Sequence, residues 1–308
     1  MKPLEKLLVK KRPYIFLTAI ALFAILLSAG CGTSASLLLG GLPTNDWPKK
    51  RVMLMPATDL TGIPLDGLMD TVRAELSKTL KKTGFFNVYH QDKTKKFRLF
   101  KPREPIDPEL MREAKGTGMN AIIFETINPI ETNLVKTGIW PFRRKVRRFT
   151  VSMNIDILDV NRGTILLSKE VADNITFSEE ETEEEREKST DVETKKRALE
   201  ECLPDLLKQA AMAAILSLNG QMWIGTIASA DEKGIIINAG RDAGLRPGIV
   251  CEVFGAGESI TSFKGQTYHL PGPKVGEIKI VRIKPRHSLA EPANGSAFKS
   301  GQIISVKE

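Results

Sequence analysis

Apolar positions along the 308-residue chain change period several times, and each change marks an element. Tyr14 to Ala29 holds no charged residue and follows a segment carrying Lys2, Lys6, Lys10, Lys11 and Arg12 against Glu5, the layout of an export signal. At about sixteen residues the run is shorter than the roughly 20 that a spanning helix needs. Arg51–Met55 is a short buried-strand pattern ending at Pro56. Leu65, Leu68, Met69, Val72, Leu76 and Leu80 then recur every three or four positions, predicting an amphipathic helix that closes near Gly84. Phe85–Tyr89 reads as a second strand. Asp107-Pro108-Glu109 is a helix start with Asp as N-cap, and Ala121–Glu125 is a third strand. Phe149, Val151, Met153, Ile155 and Ile157 alternate with polar residues, and after the turn at 159–163 the run 164–177 returns, predicting a β-hairpin.

Residues 178–191 are strongly acidic with no apolar member, as in a solvated loop or a helix lead-in. A helix is expected over roughly 192–218, interrupted or kinked at Pro204, burying Leu199, Leu203, Leu206, Ala210, Ala213 and Leu216. After Gly220 the texture changes to short β runs separated by glycine and proline. The expected architecture is therefore a layered α+β (α/β) region, a mixed sheet with helices over 51–219, followed by a small all-β barrel or sandwich over 220–308. Residues 32–50, small, polar and proline-punctuated, read as a tether.

Composition narrows the function. The chain has 45 basic and 37 acidic residues, but residues 1–30 hold five and one of these, so a chain beginning at residue 31 carries only +4. That value gives no ground for nucleic-acid binding. Gly255-Ala256-Gly257 lacks the rest of either nucleotide fingerprint and reads as a hairpin turn. His90, His269 and His287 stand far apart with no ligands at zinc spacing, and no serine or cysteine has a nucleophile motif around it. No catalytic residue, metal or cofactor is expected, and the chain reads as a non-enzyme. Cys202 and Cys251 read as two buried thiols, with pairing in an oxidising compartment as the alternative.

One segment is unusual. Trp140-Pro141-Phe142 is followed by Arg143, Arg144, Lys145, Arg147 and Arg148, just before the alternating strand. Aromatic residues beside a basic cluster suit phospholipid headgroups or an acidic partner. A solubilising loop whose charges discourage edge pairing is the plainer reading.

Leu27-Ser28-Ala29-Gly30-Cys31 resembles the lipobox of bacterial lipoproteins, apart from Ser28. The resemblance implies cleavage before Cys31, diacylglyceryl on its sulfur, and, with Gly32 rather than Asp next to it, sorting to the periplasmic face of the outer membrane. Arg51–Gly62 (RVMLMPATDLTG), Lys82–Val88 and the stretch from Gly118 to the turn at 163 resemble the curli-assembly lipoprotein family over about residues 50–218. Ile237–Gly240, Gly244–Gly248, Val275–Ile278 and Lys299–Gln302 are similar to the last domain of the flagellar assembly protein T family. These resemblances imply an envelope scaffold or assembly factor with protein partners at a flagellar base, a secretion complex or a cell-wall synthase. Such a protein is compatible with a homo-oligomer. The alternative they imply is an oligomeric pore of the curli-secretion type.

Overall fold

The computed structural model describes residues 48–65, 67–92, 97, 98, 100, 104–178, 191–232, 234–262 and 267–307. Cys31, the export segment, the tether up to residue 47 and the acidic residues 179–190 lie outside the described residues.

The first sheet grows around a buried parallel strand. β1 (Lys50–Leu54) runs into the two-residue β2 (Thr58–Asp59), then α1 (Leu68–Lys82), β3 (Phe86–His90), α2 (Pro108–Gly116) and β4 (Ala121–Ile127). β1 pairs in parallel with β3 on one side, Val52 opposite Val88, and with β4 on the other, Val52 opposite Ala121. Strands covered on both faces need apolar residues at every position, which is why the runs at 51–55 and 121–124 do not alternate. Val52, Leu54 and Ile123 face α1, where Val72, Leu76 and Leu80 are fully buried; Met53, Ile122 and Phe124 face Leu110 and Ala114 of α2. α2 begins as its sequence requires, with the Asp107 carboxylate accepting from the Glu109 N–H at 2.9 Å.

Two long strands extend this sheet. β5 (Glu131–Thr137) precedes β6 (Arg144–Asp159), which pairs antiparallel with β4 through its second half, with β5 through its first half, and with β7 (Thr164–Ser178) along nearly its whole length. Phe149, Val151, Met153, Ile155 and Ile157 are all fully buried. The tight turn is held by the Asp159 carboxylate, which accepts from Asn161 N–H at 2.8 Å and Arg162 N–H at 3.0 Å.

α3 (Asp191–Asn219) lies over β6 and β7 and corrects the expected burial of its second half. It runs through Pro204 as one helix. The proline is exposed, and an interior proline costs about 3 kcal/mol, whereas each fully buried leucine contributes about 1.5–3 kcal/mol. Leu199, Leu203, Leu206 and Leu207 together outweigh it. Because the helix does not break, its 3.6-residue period carries on, and the buried line continues through Ala210, Ala211, Ala214, Ile215 and Leu218. Ala213 is therefore only half-buried and Leu216 is exposed.

The C-terminal β segment is a closed barrel rather than a sandwich: β8 (Gly225–Asp231), β9 (Gly234–Ile237), β10 (Val250–Thr261), β11 (Thr267–Ile283), β12 (Ser288–Asn294) and β13 (Ile303–Val306), in the order β10-β11-β12-β9-β8-β13. Closure removes exposed edges. Ile227, Ile237, Cys251, Val253, Ile278, Ile280 and Ile304 fill the interior. Gly255-Ala256-Gly257, expected as a hairpin turn, lies inside β10 where its register against β11 shifts. A Cβ on Gly272 would collide with the Gly255 carbonyl, so glycine here serves close strand approach rather than a reversal.

A buried arginine joins sheet and barrel. Arg51 on β1 reaches Asp242, in the 3₁₀ turn Arg241–Ala243, through Nε at 3.1 Å to Oδ2 and Nη2 at 2.9 and 2.8 Å to Oδ1 and Oδ2. Its remaining donors meet the carbonyls of Asn238 (2.5 Å) and Arg286 (2.9 Å). Tyr89 Oη donates to Asp242 Oδ2 at 3.1 Å, and Asn120 Nδ2 donates to the Ile224 carbonyl at 2.5 Å. Burial raises the Asp242 carboxyl, but the Arg51 guanidinium outweighs this and holds it below the usual range.

Candidate functional site

The aromatic-basic segment is the end of a two-stranded ribbon. β5 and the first residues of β6 pair as Leu134 opposite Arg147, Val135 opposite Val146, Lys136 opposite Lys145 and Thr137 opposite Arg144. Among the described residues β7 pairs as far as Val146, and Arg144 and Lys145 have β5 as their one neighbouring strand. The loop 138–143 closes the ribbon, with Phe142 N–H donating to the Ile139 carbonyl at 2.7 Å. At this tip Ile139, Trp140 and Phe142 are 85%, 78% and 82% exposed, and Leu134 on the stem is 67% exposed. Three large apolar side chains this open at one place cannot be explained by folding, which would bury them.

The structure places Trp140 and Phe142 in the same loop and sorts the basic residues. Arg143 ends the loop, while Arg144, Lys145, Arg147 and Arg148, expected as a basic cluster ahead of the strand, are already part of β6. The period of two then divides them. Lys145 and Arg147 share the face of buried Phe149, with Lys136 opposite Lys145; Arg144 and Arg148 lie on the other face. Arg147 is half-buried and sits 3.9 Å from Asp191 at the start of α3. Residues 134–148 contain six Lys or Arg and no Asp or Glu. Cys31 lies outside the described residues.

Sequence reasoning missed Leu134, Ile139 and Lys136. Their signal is the short polar strand ETNLVKT, which shows no apolar period because neither face is fully covered. It also missed a buried polar group under α1. Glu125 on β4 is 1% exposed, and neither carboxylate oxygen has a hydrogen-bond partner. Arg73 on α1 spends Nη2 on the carbonyls of Leu54 (2.9 Å) and Gln91 (2.7 Å). Burial pushes the Glu125 carboxyl up to about 7 against the opposing pull of Arg73.

A cleft of ≈ 510 Å³ lies where α2 and the β6–β7 turn meet the barrel, lined by Lys115, Asn161, Asn238, Ser259, His269 and several glycines. Ser259 Oγ and His269 Nδ1 are 3.0 Å apart as neighbours across β10 and β11. Burial and then Lys115 hold the His269 imidazole below its usual range. Among the described residues no group of three or more His, Cys, Asp or Glu could hold a metal ion, and no helix is long and apolar enough to cross a membrane.

No protein-family model matches the sequence, and no curated protein matches it. Solved structures resemble about half of the chain. The hypothetical protein CT253 from Chlamydia trachomatis is 13% identical, covering 56% of this chain and 96% of its own, with a TM-score of 0.33. A PelC dodecamer from Paraburkholderia phytofirmans is 11% identical, covering 56% and 90%, with a TM-score of 0.30. Lipoprotein GNA1162 from Neisseria meningitidis is 14% identical, covering 56% and 99%, with a TM-score of 0.27. At these scores the likenesses assign neither family nor activity.

Proposed function

We propose that the chain is a non-enzymatic envelope protein, lipidated on Cys31 at the periplasmic face of the outer membrane, that docks onto a larger assembly through the tip of the β5–β6 ribbon. The carrying observation is the tip itself: Ile139, Trp140 and Phe142 are held out at the end of a narrow stem, outside all three hydrophobic core clusters. A rigid ribbon presenting aromatic side chains suits recognition by surface, since aromatics give a large contact area at low entropic cost.

The alternative, an oligomeric pore with this ribbon as wall, has less support. A spanning strand needs about 9–11 residues with an apolar outward face. β5 has seven residues, and both faces of the ribbon carry Lys or Arg.

The test compares the full chain, a Cys31→Ala variant and a Trp140→Ala/Phe142→Ala variant by intact mass, membrane fractionation and crosslinking in cells. A lipid-sized mass increment on Cys31 and crosslinked complexes that disappear with the tip variant are expected. An unmodified Cys31 would remove the anchor from the reading; crosslinks unchanged by the tip variant would remove the docking surface.

A further inference from the structure

We propose that the surface entered by the β5–β6 tip is an anionic phospholipid layer. In this arrangement Ile139, Trp140 and Phe142 sit at interfacial depth, and the basic residues of the stem engage headgroup phosphates. The inference rests on the docking reading above in taking the tip as the contact surface, and places at that contact the membrane on which the assembly sits.

The first observation is the chemistry of the tip. Tryptophan pairs an apolar ring with an N–H donor and settles where hydrocarbon meets water, and Phe142 and Ile139 add apolar volume with no polar group to desolvate. The second is the distribution of charge. Lys136 and Lys145 on one face, Arg144 and Arg148 on the other, and Arg143 at the loop form a collar around the ribbon. A ribbon lying in a protein groove would need complementary charge mainly on the face it presents. A ribbon entering a headgroup layer meets phosphates on all sides, and the collar matches that. With six basic and no acidic residue in 134–148, the complement must be anionic.

The third observation is distance along the stem. At about 3.3 Å per residue, the Lys136–Lys145 pair lies roughly 10 Å below the tip. This matches the 5–10 Å to which interfacial elements bury their apolar faces. Deeper entry would draw both faces' charges into hydrocarbon, at a cost of several kcal/mol for spanning. The ribbon therefore dips and does not cross.

The experiment uses the full chain extracted from membranes in detergent and reconstituted into vesicles of phosphatidylcholine alone or with one-third phosphatidylglycerol, carrying bromine at shallow or deep acyl positions. Subtracting the emission of a Trp140→Phe variant isolates Trp140 from Trp47 and Trp223. The expected result is a blue-shifted Trp140 signal in the phosphatidylglycerol vesicles, quenched more by shallow than by deep bromine. Loss of that quenching is expected in Arg143→Glu/Arg144→Glu/Lys145→Glu protein whose circular dichroism is unchanged. Trp140 left unquenched in both vesicles would overturn the lipid partner, while the docking reading would still be judged by the crosslinking of the tip variant. Equal quenching in phosphatidylcholine would overturn the anionic requirement, and stronger quenching by deep bromine would overturn interfacial depth.

Discussion

Glu125 shows how a single residue can work against the fold that holds it. Its strand, β4, is covered on both faces, and its carboxylate points among Ile123, Ile127 and the residues of α1 with neither oxygen hydrogen-bonded. A carboxyl raised from 4.5 to about 7 binds a proton more tightly folded than unfolded. Its effect on stability is therefore neutral below its unfolded value and increasingly unfavourable as pH rises through the window from 4.5 to 7. The loss amounts to about 3 kcal/mol across that window. Glu125→Gln should melt within a few degrees of the native protein at pH 4.5 and clearly above it at pH 8. Melting curves for both proteins across this range check this, and a constant difference would show that the carboxyl does not titrate there. The thiols give a second prediction at this scale. Cys202 lies on the buried face of α3 and Cys251 in the barrel interior, both free, and burial pushes them up to about 11 and about 12. Because the thiolate is the reactive form, a thiol reagent should leave both unmodified in the native state and modify both in denaturant. Neither buried charge was legible in the sequence. Glu125 ends the run AIIFE as a strand-terminating polar residue would, and Arg51 heads RVMLM as an ordinary flanking cation; only the tertiary fold encloses them.

At the scale of elements, legibility followed coverage. α1, α2, β1, β3, β4 and the β6–β7 hairpin were readable because each buries one face or both against a neighbour, and burial imprints a period of two, of 3.6, or a continuous apolar run. β5 was not, because its faces are open. β12 (SLAEPAN) was hidden because Pro292 occupies a register irregularity against Ile278 that tolerates a missing N–H. α3 was found, but its second half was misphased because steps of three after Ala210 fall short of the 3.6-residue period and drift off the buried face. The exposed Pro204 ring removes the N–H that would meet the Glu200 carbonyl, and packing overrides that loss. Pro204→Ala should therefore stabilise the protein by about 1–3 kcal/mol, raising the urea midpoint with no change in slope. An unchanged or lower midpoint would mean that the helix needs Pro204 to follow β6 and β7.

At the scale of the whole molecule, the question is why sheet and barrel should behave as one body when each has its own hydrophobic core. Apolar contact alone does not unite them, since the clusters around α1, α2 and α3 and the cluster inside the barrel are separate. The Arg51–Asp242 pair is placed to do so. Its arginine belongs to strand β1 of the sheet, its aspartate to a turn of the barrel, and its remaining donors and acceptors are taken up by Tyr89, Asn238 and Arg286. Removing one member leaves the other buried and uncompensated, at a cost of about 3–5 kcal/mol, whereas replacing both with apolar groups is far milder. Arg51→Met alone and Asp242→Leu alone should each lower the melting temperature by on the order of 10 °C, and the double variant should lose much less than their sum. The pH dependence follows from the lowered Asp242 carboxyl: the pair's contribution is complete above the ordinary carboxylate range and is lost as pH falls through the depressed folded value. Calorimetry should show one transition for the native protein at neutral pH and two for Asp242→Leu, as barrel and sheet come apart. Two transitions already in the native protein would mean that the joint holds position without coupling stability. The β5–β6 ribbon would then act from a sheet that keeps its fold whether or not the barrel does.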